Sequence, residues 1–363
     1  MKKKMITAVC LSLALLVGMF TGCGNDAKES NNDQETQAAA EDQSETEAAD
    51  TSDSEAATDG QDLQAVKVGI IQLVEHPALD AARDGFIAGL AEAGYVEGDN
   101  LTLDVQNAQG DQSNCQTIAG QFANDDLDLI LAIATPAAQA AANVITDTPI
   151  LVTAVTDPAA ADLVDSNEAP GGNLSGTSDR SPIDEQIQLI KKLVPDATRV
   201  TILYTSSETN SELQAKEAEQ FAIEEGLEVE IKTVSSSNEV QQVVESSVSN
   251  TDALYIPTDN LLASSMGIVS QVAIQAKVPV IGGEENQLLN GALATVGLNY
   301  FDLGKQTAKM AEQIFNGEST ADMPIQFAEK NTLAINFDTA AAIDLEIPAE
   351  LAEEATAIRS EKP

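Results

Sequence analysis

The chain has 363 residues, of which 43% are hydrophobic, and this is enough for one large core or two modest ones. Its 18 basic and 59 acidic residues give a formal net charge of −41 at pH 7. Because this charge would repel a phosphate backbone, the composition argues against a nucleic-acid partner.

The first 22 residues are typical of a bacterial export signal. Lys2 to Lys4 form a basic start, and an apolar run from Ile6 to Phe20 follows, which is short for a membrane span. The run ends in Phe20-Thr21-Gly22-Cys23, which resembles the lipobox of bacterial lipoproteins, with Phe20 where leucine is usual. The resemblance implies removal of residues 1–22, acylation of Cys23 (palmitate is the expected chain), and a lipid anchor on the extracytoplasmic face of the cell membrane. The alternatives are an ordinary cleavable signal and an uncleaved anchor.

Residues 23–62 predict an acidic disordered tether, because they are rich in Ala, Glu, Asp, Gln, Ser and Thr and contain one basic residue, Lys28. Beyond the tether, Cys115 is the one cysteine and His76 the one histidine. We therefore expect no intrachain disulfide, no metal site, no catalytic residue and no cofactor in the folded part.

From Val66 onward the sequence alternates predicted strands and helices, which indicates parallel βαβ units. In the stretch Leu127 to Ala140, an apolar strand runs into an Ala-rich helix, with Thr135 predicted as the N-cap and Pro136 at the first helical position. The predicted strands of this half are residues 66–73, 101–107, 127–134 and 149–155, and its predicted helices are 78–93, 113–124 and one that starts after Thr135.

After a Pro-Gly-Gly-Asn turn at residues 170–173 and a short segment at 174–178, the same pattern starts again. The second half lines up with the first at an offset of roughly 130 residues, an internal repeat far longer than a solenoid unit. The predicted strands of this half are 199–205, 227–234 and 293–300, and a strand with its following loop is predicted at 253–260 and again at 279–286. The predicted helices are 183–193, 211–225, 239–248 and 261–276.

The repeat predicts an α/β fold of two doubly wound parallel-sheet lobes that enclose a cleft and close by a hinge motion. The segment at 293–300 is interpreted as a strand that crosses between lobes; a helix at 301–315, a strand at 332–336 and a short helix at 339–343 follow it. Gly171 and Gly172 are hinge-side turn residues in this interpretation, or else an ordinary surface turn.

Several ordered segments resemble the ABC-transporter substrate-binding lipoproteins of the tryptophan/tyrosine type. The resemblance covers nearly everything from Val66 to Ile343 and is carried by HPALDAARDGFIAGLAEAGYVEGDNL, AIATPAAQAAAN, VTAVTDPAAADLV, PGGNLSGTSD, YIPTDN and GLNYFDLGKQTAKMAEQI. It implies a type I periplasmic-binding-protein fold with a multi-strand hinge. The domain boundaries expected from it are an N-terminal lobe of residues 63–178 plus 299–326 and a C-terminal lobe of residues 179–298 plus 327–363.

The resemblance also implies a function outside the membrane. A monomer would capture a small solute, expected to be an amino acid and possibly an aromatic one, and deliver it to an ABC permease and its cytoplasmic ATPase. A ligand-sensing lipoprotein that feeds a membrane receptor is the alternative, since it would share the fold and the cleft. An enzyme finds no support, because GxSxG, P-loop and early GxGxxG motifs are all missing from the sequence.

In this fold, loops at the carboxyl ends of strands in both lobes line the cleft. A zwitterionic amino acid needs N–H and hydroxyl donors for its carboxylate, for which Thr135 or the pair Ser206 and Ser207 are candidates. Its ammonium needs a carboxylate, for which Asp157, Asp259 and Glu284 are candidates. The full set of expected ligand-binding residues is Gln72, His76, Thr135, Ala137, Thr156, Asp157, Ser206, Ser207, Asn210, Asp259, Glu284 and Glu285.

Several of these residues have an alternative role that the sequence leaves open. Ser206, Ser207 and Asp259 are also suited to capping helices. Glu284 and Glu285 are equally compatible with a solvated loop, and His76 with a turn before Pro77. Three tyrosines are candidates for stacking on an aromatic ligand, with a place in the core as the alternative: Tyr204, Tyr255 and Tyr300.

Overall fold

The computed structural model describes residues 63–359. The predicted signal peptide, the lipidation of Cys23 and the acidic tether all lie outside these residues. Within residues 63–359, no helix is both long and apolar enough to cross a membrane.

The described chain alternates strands and helices in two successive runs, as the repeat predicts. The strands are β1 Val66–Gln72, β2 Leu101–Asn107, β3 Leu129–Ile133, β4 Ile150–Val155, β5 Leu174–Ser178, β6 Arg199–Thr205, β7 Glu228–Val234, β8 Ala253–Ile256, β9 Val280–Gly282, β10 Ala294–Gly297, β11 Gln326–Phe327, β12 Thr332–Asn336 and β13 Thr356–Ile358. The helices are α1 Pro77–Glu92, α2 Gln112–Phe122, α3 Thr135–Val144, α4 Ile183–Leu193, α5 Thr209–Glu224, α6 Ser237–Val248, α7 Asn260–Ser264, α8 Met266–Ala276, α9 Asn286–Leu289, α10 Tyr300–Phe315, α11 Phe337–Ala342 and α12 Ala349–Glu354, with a 3-10 turn at Thr320–Asp322.

The strands form two sheets with the same internal order. The first sheet runs β11-β5-β4-β3-β1-β2 and is parallel throughout. The second runs β13-β12-β10-β9-β8-β6-β7 and is parallel except for the antiparallel step from β10 to β12. Because β2-β1-β3-β4-β5 matches β7-β6-β8-β9-β10, the predicted fold of two doubly wound lobes is confirmed.

The burial of each strand follows from its place in its sheet. The central strands β3, β4, β8, β9 and β10 are buried along their whole length, and their apolar runs lack polar alternation for this reason. The edge strands β2 and β7 carry exposed positions and polar residues. Helices cover both faces, so each lobe holds a core of its own.

The chain passes between the two sheets three times, at one edge of the molecule. The crossings lie between β5 and α4, between β10 and α10, and between β11 and β12. Helix α10 therefore returns to the first lobe after the second sheet is nearly complete. Its side chains Leu303, Met310 and Ile314 join the core of the first lobe.

Helices α1 and α10 touch through glycines. A Cβ added at Gly85 would overlap the carbonyl oxygen of Phe301, and one added at Gly304 would overlap the carbonyl oxygen of Ala82. This close approach packs the middle of α1 against the start of α10.

Three details differ from the sequence-based predictions. The N-cap of α3 is Ala134, with a φ of 82°, and Thr135 is the first helical residue, so the prediction of Thr135 as a capping residue was wrong. The single helix predicted at 261–276 is two helices that meet at Ser265. The short elements α9, β11, α12 and β13 were not predicted, because two to six residues are too few to show a periodicity.

Candidate functional site

The two lobes are closed on each other, and side chains at the carboxyl ends of their strands meet across the cleft. His76 Nε2 lies 3.3 Å from Asn260 Oδ1, and the hydroxyl oxygens of Thr156 and Thr258 are 3.3 Å apart. Gln214 Nε2 donates to both hydroxyls, at 3.2 Å and 2.5 Å. These contacts join β1 and β4 of the first lobe to α5 and the loop after β8 of the second.

A charged bridge spans the lobes farther from this centre. Arg180, on the first crossing, donates to Asp157 Oδ2 at 3.1 Å and to Glu217 Oε1 at 2.8 Å. All three side chains are partly exposed, so the bridge contributes modestly to the free energy of closure.

Between the lobes lies an inner cavity bounded by both sets of strand ends and by the start of α1. Its volume, measured as the space open to the centre of a water molecule, is about 10 Å³ in this closed form. That is room for one water, so an amino acid enters only if the lobes part and the walls adjust. The lining residues are His76, Ala78, Leu79, Ala154, Thr156, Asp179, Asn210, Thr258, Asp259, Asn260, Ala263, Glu284 and Tyr300.

Two acidic side chains lie at the end of the cavity nearest the crossings. Asp179 follows β5, Tyr300 begins α10, and the Tyr300 hydroxyl donates to Asp179 Oδ2 at 2.6 Å. Glu284 follows β9 and accepts the N–H of Asn286 at 2.6 Å. Burial raises the pKa of Asp179, and it raises the pKa of Glu284 to about 8, with the nearby Asp179 and Glu285 carboxylates adding to the shift.

The part of the cavity wall that comes from the start of α1 has no charged side chain. His76 precedes Pro77 at the start of α1 and is buried. Burial lowers the pKa of His76 to about 4, so the ring is neutral at physiological pH. Ala78, Leu79 and Ala263 add apolar side chains to the cavity wall.

A second buried acidic pair, Glu208 and Asp259, has its hydrogen bonds within the protein. Asp259 caps α7 through Leu262 N–H and accepts the backbone N–H and hydroxyl of Thr205, at 2.6 Å and 2.7 Å. Glu208 accepts the backbone N–H groups of Asn260 and Leu261. Burial raises the pKa of both carboxyls, to about 8 for Glu208. This pair fixes the loop after β8 against the start of α5.

Two further spaces open at the rim of the cleft. A groove of about 290 Å³ runs between Leu73, Gln112 and Pro136 on one side and Ser207 and Glu208 on the other. A recess of about 190 Å³ is lined by Thr135, Asp157, Asn210 and Lys216, among others. We take the smaller inner cavity as the candidate ligand site, because three of its residues carry a buried polar atom without a partner in residues 63–359, whereas the recess has Thr135 and shares Asn210 with the inner cavity.

The twelve residues expected to bind ligand are placed in three groups. Five line the inner cavity: His76, Thr156, Asn210, Asp259 and Glu284. Thr135 and Asp157 line the recess and Ser207 lines the rim groove. The remaining four line none of these spaces. Gln72 donates hydrogen bonds to Val74 and Asp80, and Ser206 donates one to Val234. Ala137 is buried within α3, and Glu285 is half-buried beside Glu284.

Two residues that shape the acidic end were not in the expected set. Asp179 and Tyr300 come from different crossings, 121 positions apart, and meet in space. The signal in the sequence was the Asp that ends PGGNLSGTSD, directly after a predicted short segment. Of the other two tyrosines, Tyr255 is in the core of the second lobe, with its hydroxyl on Gln186, and Tyr204 packs beside that core.

The unpaired atoms of the cavity define what it can bind. Asp179 Oδ1, Asn210 Oδ1 and His76 Nδ1 are buried, and none of them finds a hydrogen-bond partner in residues 63–359. Asn210 Nδ2 donates to the Thr258 carbonyl, which identifies the free atom as an acceptor. In the same part of the chain, no cluster of three His, Cys, Asp or Glu side chains could hold a metal ion. The cavity is therefore suited to a ligand that donates hydrogens, above all a cation.

Comparison with known proteins gives matches over most of the chain. The family model described as "ABC transporter substrate binding protein" matches residues 67–359. A protein named "Tyrosine-binding protein" from Clostridioides difficile (strain R20291) is 42% identical over 346 residues, which are 95% of this chain and 94% of that protein.

Two solved structures differ in how well they superpose. An ABC domain from Streptococcus pneumonia in complex with L-Trp is 37% identical, with a TM-score of 0.78 over 81% of this chain and 99% of that one. A substrate-binding protein with adhesive properties from Clostridium difficile, in a ligand-free, open structure, is 45% identical, with a TM-score of 0.64 over 82% of this chain and all of that one. The structure that superposes less well is the one described as open, whereas the lobes of this chain are closed.

Proposed function

Because the chain belongs to the ABC transporter substrate-binding protein family, we propose that it captures an aromatic amino acid outside the cytoplasm and delivers it to a membrane permease driven by an ATPase. The resemblance that the sequence carried is confirmed by the family match, and with it the expectation of a solute-binding protein rather than an enzyme. In this proposal a lipid on Cys23 holds the protein at the outer face of the membrane, and residues 23–62 serve as its tether.

The observation that carries the proposal is the acidic end of the inner cavity. Asp179 and Glu284 are buried there, and neither forms an ion pair with a basic residue of the described chain. A ligand ammonium supplies the missing positive charge and donates up to three hydrogens, which match the unpaired oxygens of Asp179 and Asn210.

The start of α1 is suited to the ligand carboxylate. Helix geometry leaves the N–H groups of Ala78 and Leu79 without intrahelical acceptors, and Pro77 has no N–H to offer. Both residues line the inner cavity, and a helix of 16 residues carries partial positive charge at this end. The cavity thus offers separate groups for the two charges of a zwitterion.

That the ligand has an aromatic ring is inferred from the walls of the inner cavity and from the similar proteins. Ala78, Leu79, Ala154 and Ala263 give the cavity small apolar surfaces, against which a flat ring packs without large side chains in the way. The similar proteins are a tyrosine-binding protein and a domain that holds L-Trp, and they support an aromatic amino acid here.

Thermal unfolding of protein that starts at Gly24 tests the ligand class. With L-tyrosine or L-tryptophan at 100 times its dissociation constant, we expect the unfolding midpoint to rise by about 4 °C, because only the native state binds. Glycine, which keeps both charges but lacks a ring, is the matched control and should shift the midpoint far less. A shift with a sugar, or with none of these compounds, would contradict the proposal.

Delivery and anchoring are tested together in cells. We expect a strain that lacks the protein to lose uptake of labelled ligand, and the wild-type gene to restore it. A Cys23→Ala variant should appear in the culture medium and restore uptake poorly, because the tether then ends without a lipid. Normal uptake in the deletion strain would favour the sensing role over transport.

A further inference from the structure

The loop that carries Glu284 is bonded to a buried glutamine, Gln186, near the start of α4. The Gln186 side chain is fully buried, and its Nε2 donates to the carbonyl oxygens of Gly283 at 3.1 Å and of Val296 at 2.8 Å. Its Oε1 accepts the Tyr255 hydroxyl at 2.7 Å. Because two carbonyl oxygens can only accept, this network also fixes which end of the amide is nitrogen.

Gln186 joins the carboxyl ends of two neighbouring strands. β9 and β10 have one residue pair in register, and that pair precedes both Gly283 and Val296 in the chain. Beyond it, the two strand ends are linked through the two hydrogens of Gln186 Nε2. Since Glu284 directly follows Gly283, the same amide limits where Glu284 can lie.

The other side of Gly283 rests on the loop after β8. Its N–H donates to the Ile256 carbonyl oxygen at 2.7 Å, and a Cβ added at Gly283 would overlap the backbone of Pro257 and Thr258. The backbone that leads into Glu284 is therefore held on its N–H side by β8 and on its carbonyl side by Gln186. Loss of the Gln186 bonds would free the carbonyl side alone.

Gln186 also connects this loop to the segments that place Asp179. α4 follows the crossing that contains Asp179, and Val296 lies just before the crossing that leads to Tyr300, whose hydroxyl donates to Asp179. Burial raises the pKa of Glu284 to about 8 and the Asp179 carboxylate adds to the shift, so the two carboxyls lie within electrostatic range of each other.

Resting on the proposed capture of an amino acid, we infer that Gln186 is a positioning residue for the ligand ammonium. It holds Glu284 beside Asp179, so that one ammonium group meets both carboxylates. Gln186 does not line the inner cavity and therefore acts through Glu284 rather than by touching the ligand. A carboxylate that is already held in place loses less conformational freedom when the ligand binds, and the affinity is higher for that reason.

A double-mutant cycle of Gln186 and Glu284, measured by calorimetric titration of protein starting at Gly24 with L-tyrosine, tests this role. Gln186→Met removes both donated hydrogen bonds and keeps the length of the side chain. We expect it to lower the affinity by at least about tenfold in the wild-type background and by less than about twofold in Glu284→Gln. An equal loss in both backgrounds would overturn the inference. If wild-type protein binds neither L-tyrosine nor L-tryptophan, the proposed function itself fails.

Tyr255→Phe is the matched control, because it removes a hydrogen bond from the same buried amide and leaves both Nε2 bonds in place. Its affinity should stay within about threefold of wild type, although both variants lower the unfolding midpoint. A loss as large as that of Gln186→Met would show that Gln186 only stabilises the core. If Gln186→Met is too unstable to titrate, Gln186→Glu replaces it in the cycle with the same expectation, since it keeps the acceptor for Tyr255 but turns an oxygen towards the two carbonyls.

Discussion

Replacing Asp179 with Asn is expected to lower the affinity for L-tyrosine or L-tryptophan by at least about thirtyfold. The carboxylate is buried, its Oδ1 is unpaired within the described chain, and Tyr300 holds its other oxygen in place. Truncating one partner of a buried charged pair costs about 2–5 kcal/mol of binding free energy, which sets the size of the effect. Calorimetric titration of both proteins measures it.

The same substitution should leave the free protein as stable as the wild type, or more so. Asn has nearly the shape of Asp and avoids burying a carboxyl group without a basic partner. Asp104→Asn is the matched control, because it removes an equal charge from the edge strand β2, and its affinity should stay within about threefold of wild type. Unchanged affinity in Asp179→Asn would mean that the ligand ammonium does not bind at the acidic end of the cavity.

Ligand affinity is expected to rise about tenfold for each pH unit between roughly pH 6 and pH 8. In the free protein, burial raises the pKa of Glu284 to about 8, so this carboxyl is protonated at neutral pH. A bound ammonium favours the ionised form, and capture then releases about one proton. Above pH 8 the group is already ionised and the dependence should flatten. Burial also raises the pKa of Asp179, while His76, whose pKa burial lowers to about 4, stays neutral throughout this range.

Titration in two buffers with different ionisation enthalpies counts the released proton directly. Glu284→Gln should abolish most of the slope and of the proton release. The free protein should show the opposite trend in stability. Because the folded pKa of Glu284 lies above the unfolded value, folding holds an extra proton, and the free energy of unfolding falls as the pH rises from about 4.5 through 8. A pH-independent affinity would mean that Glu284 does not contact the ammonium.

Most of the fold was predictable because its signals are local and repeated. The buried strands β3 and β8 are apolar runs. Because of the repeat of about 130 residues, the pattern that predicts the topology of one lobe occurs twice in the sequence. Several elements, such as α4 and β6, have the predicted bounds. The error at Thr135 arose because a Thr-Pro pair normally marks a helix start, whereas here the chain turns one residue earlier, at Ala134, which has a positive φ of 82°.

The candidate site was predictable only in outline. Strand-end loops were the expected region, since parallel strands in one sheet end at the same edge, and residues of these loops line the inner cavity. What the sequence could not show is which of these loops face each other in the closed molecule. Asp179 and Tyr300 meet only because two crossings run side by side, and His76 meets Asn260 across 184 positions of the chain. The unpaired atoms that define the ligand chemistry appear only when every neighbour is known.

The return of α10 to the first lobe also bears on the order in which the molecule can be completed. A ribosome makes the chain from its N-terminus, and about 120 residues of the second lobe are made between β5 and α10. Until then, the surface of α1 around Gly85 and Phe86, which α10 covers in the finished protein, remains open to solvent. The first lobe, although it is synthesised first, can therefore complete its core only after the strands of the second lobe up to β10 have been made. A chain on its way out of the cell gains its complete first core only when nearly all of it has been delivered.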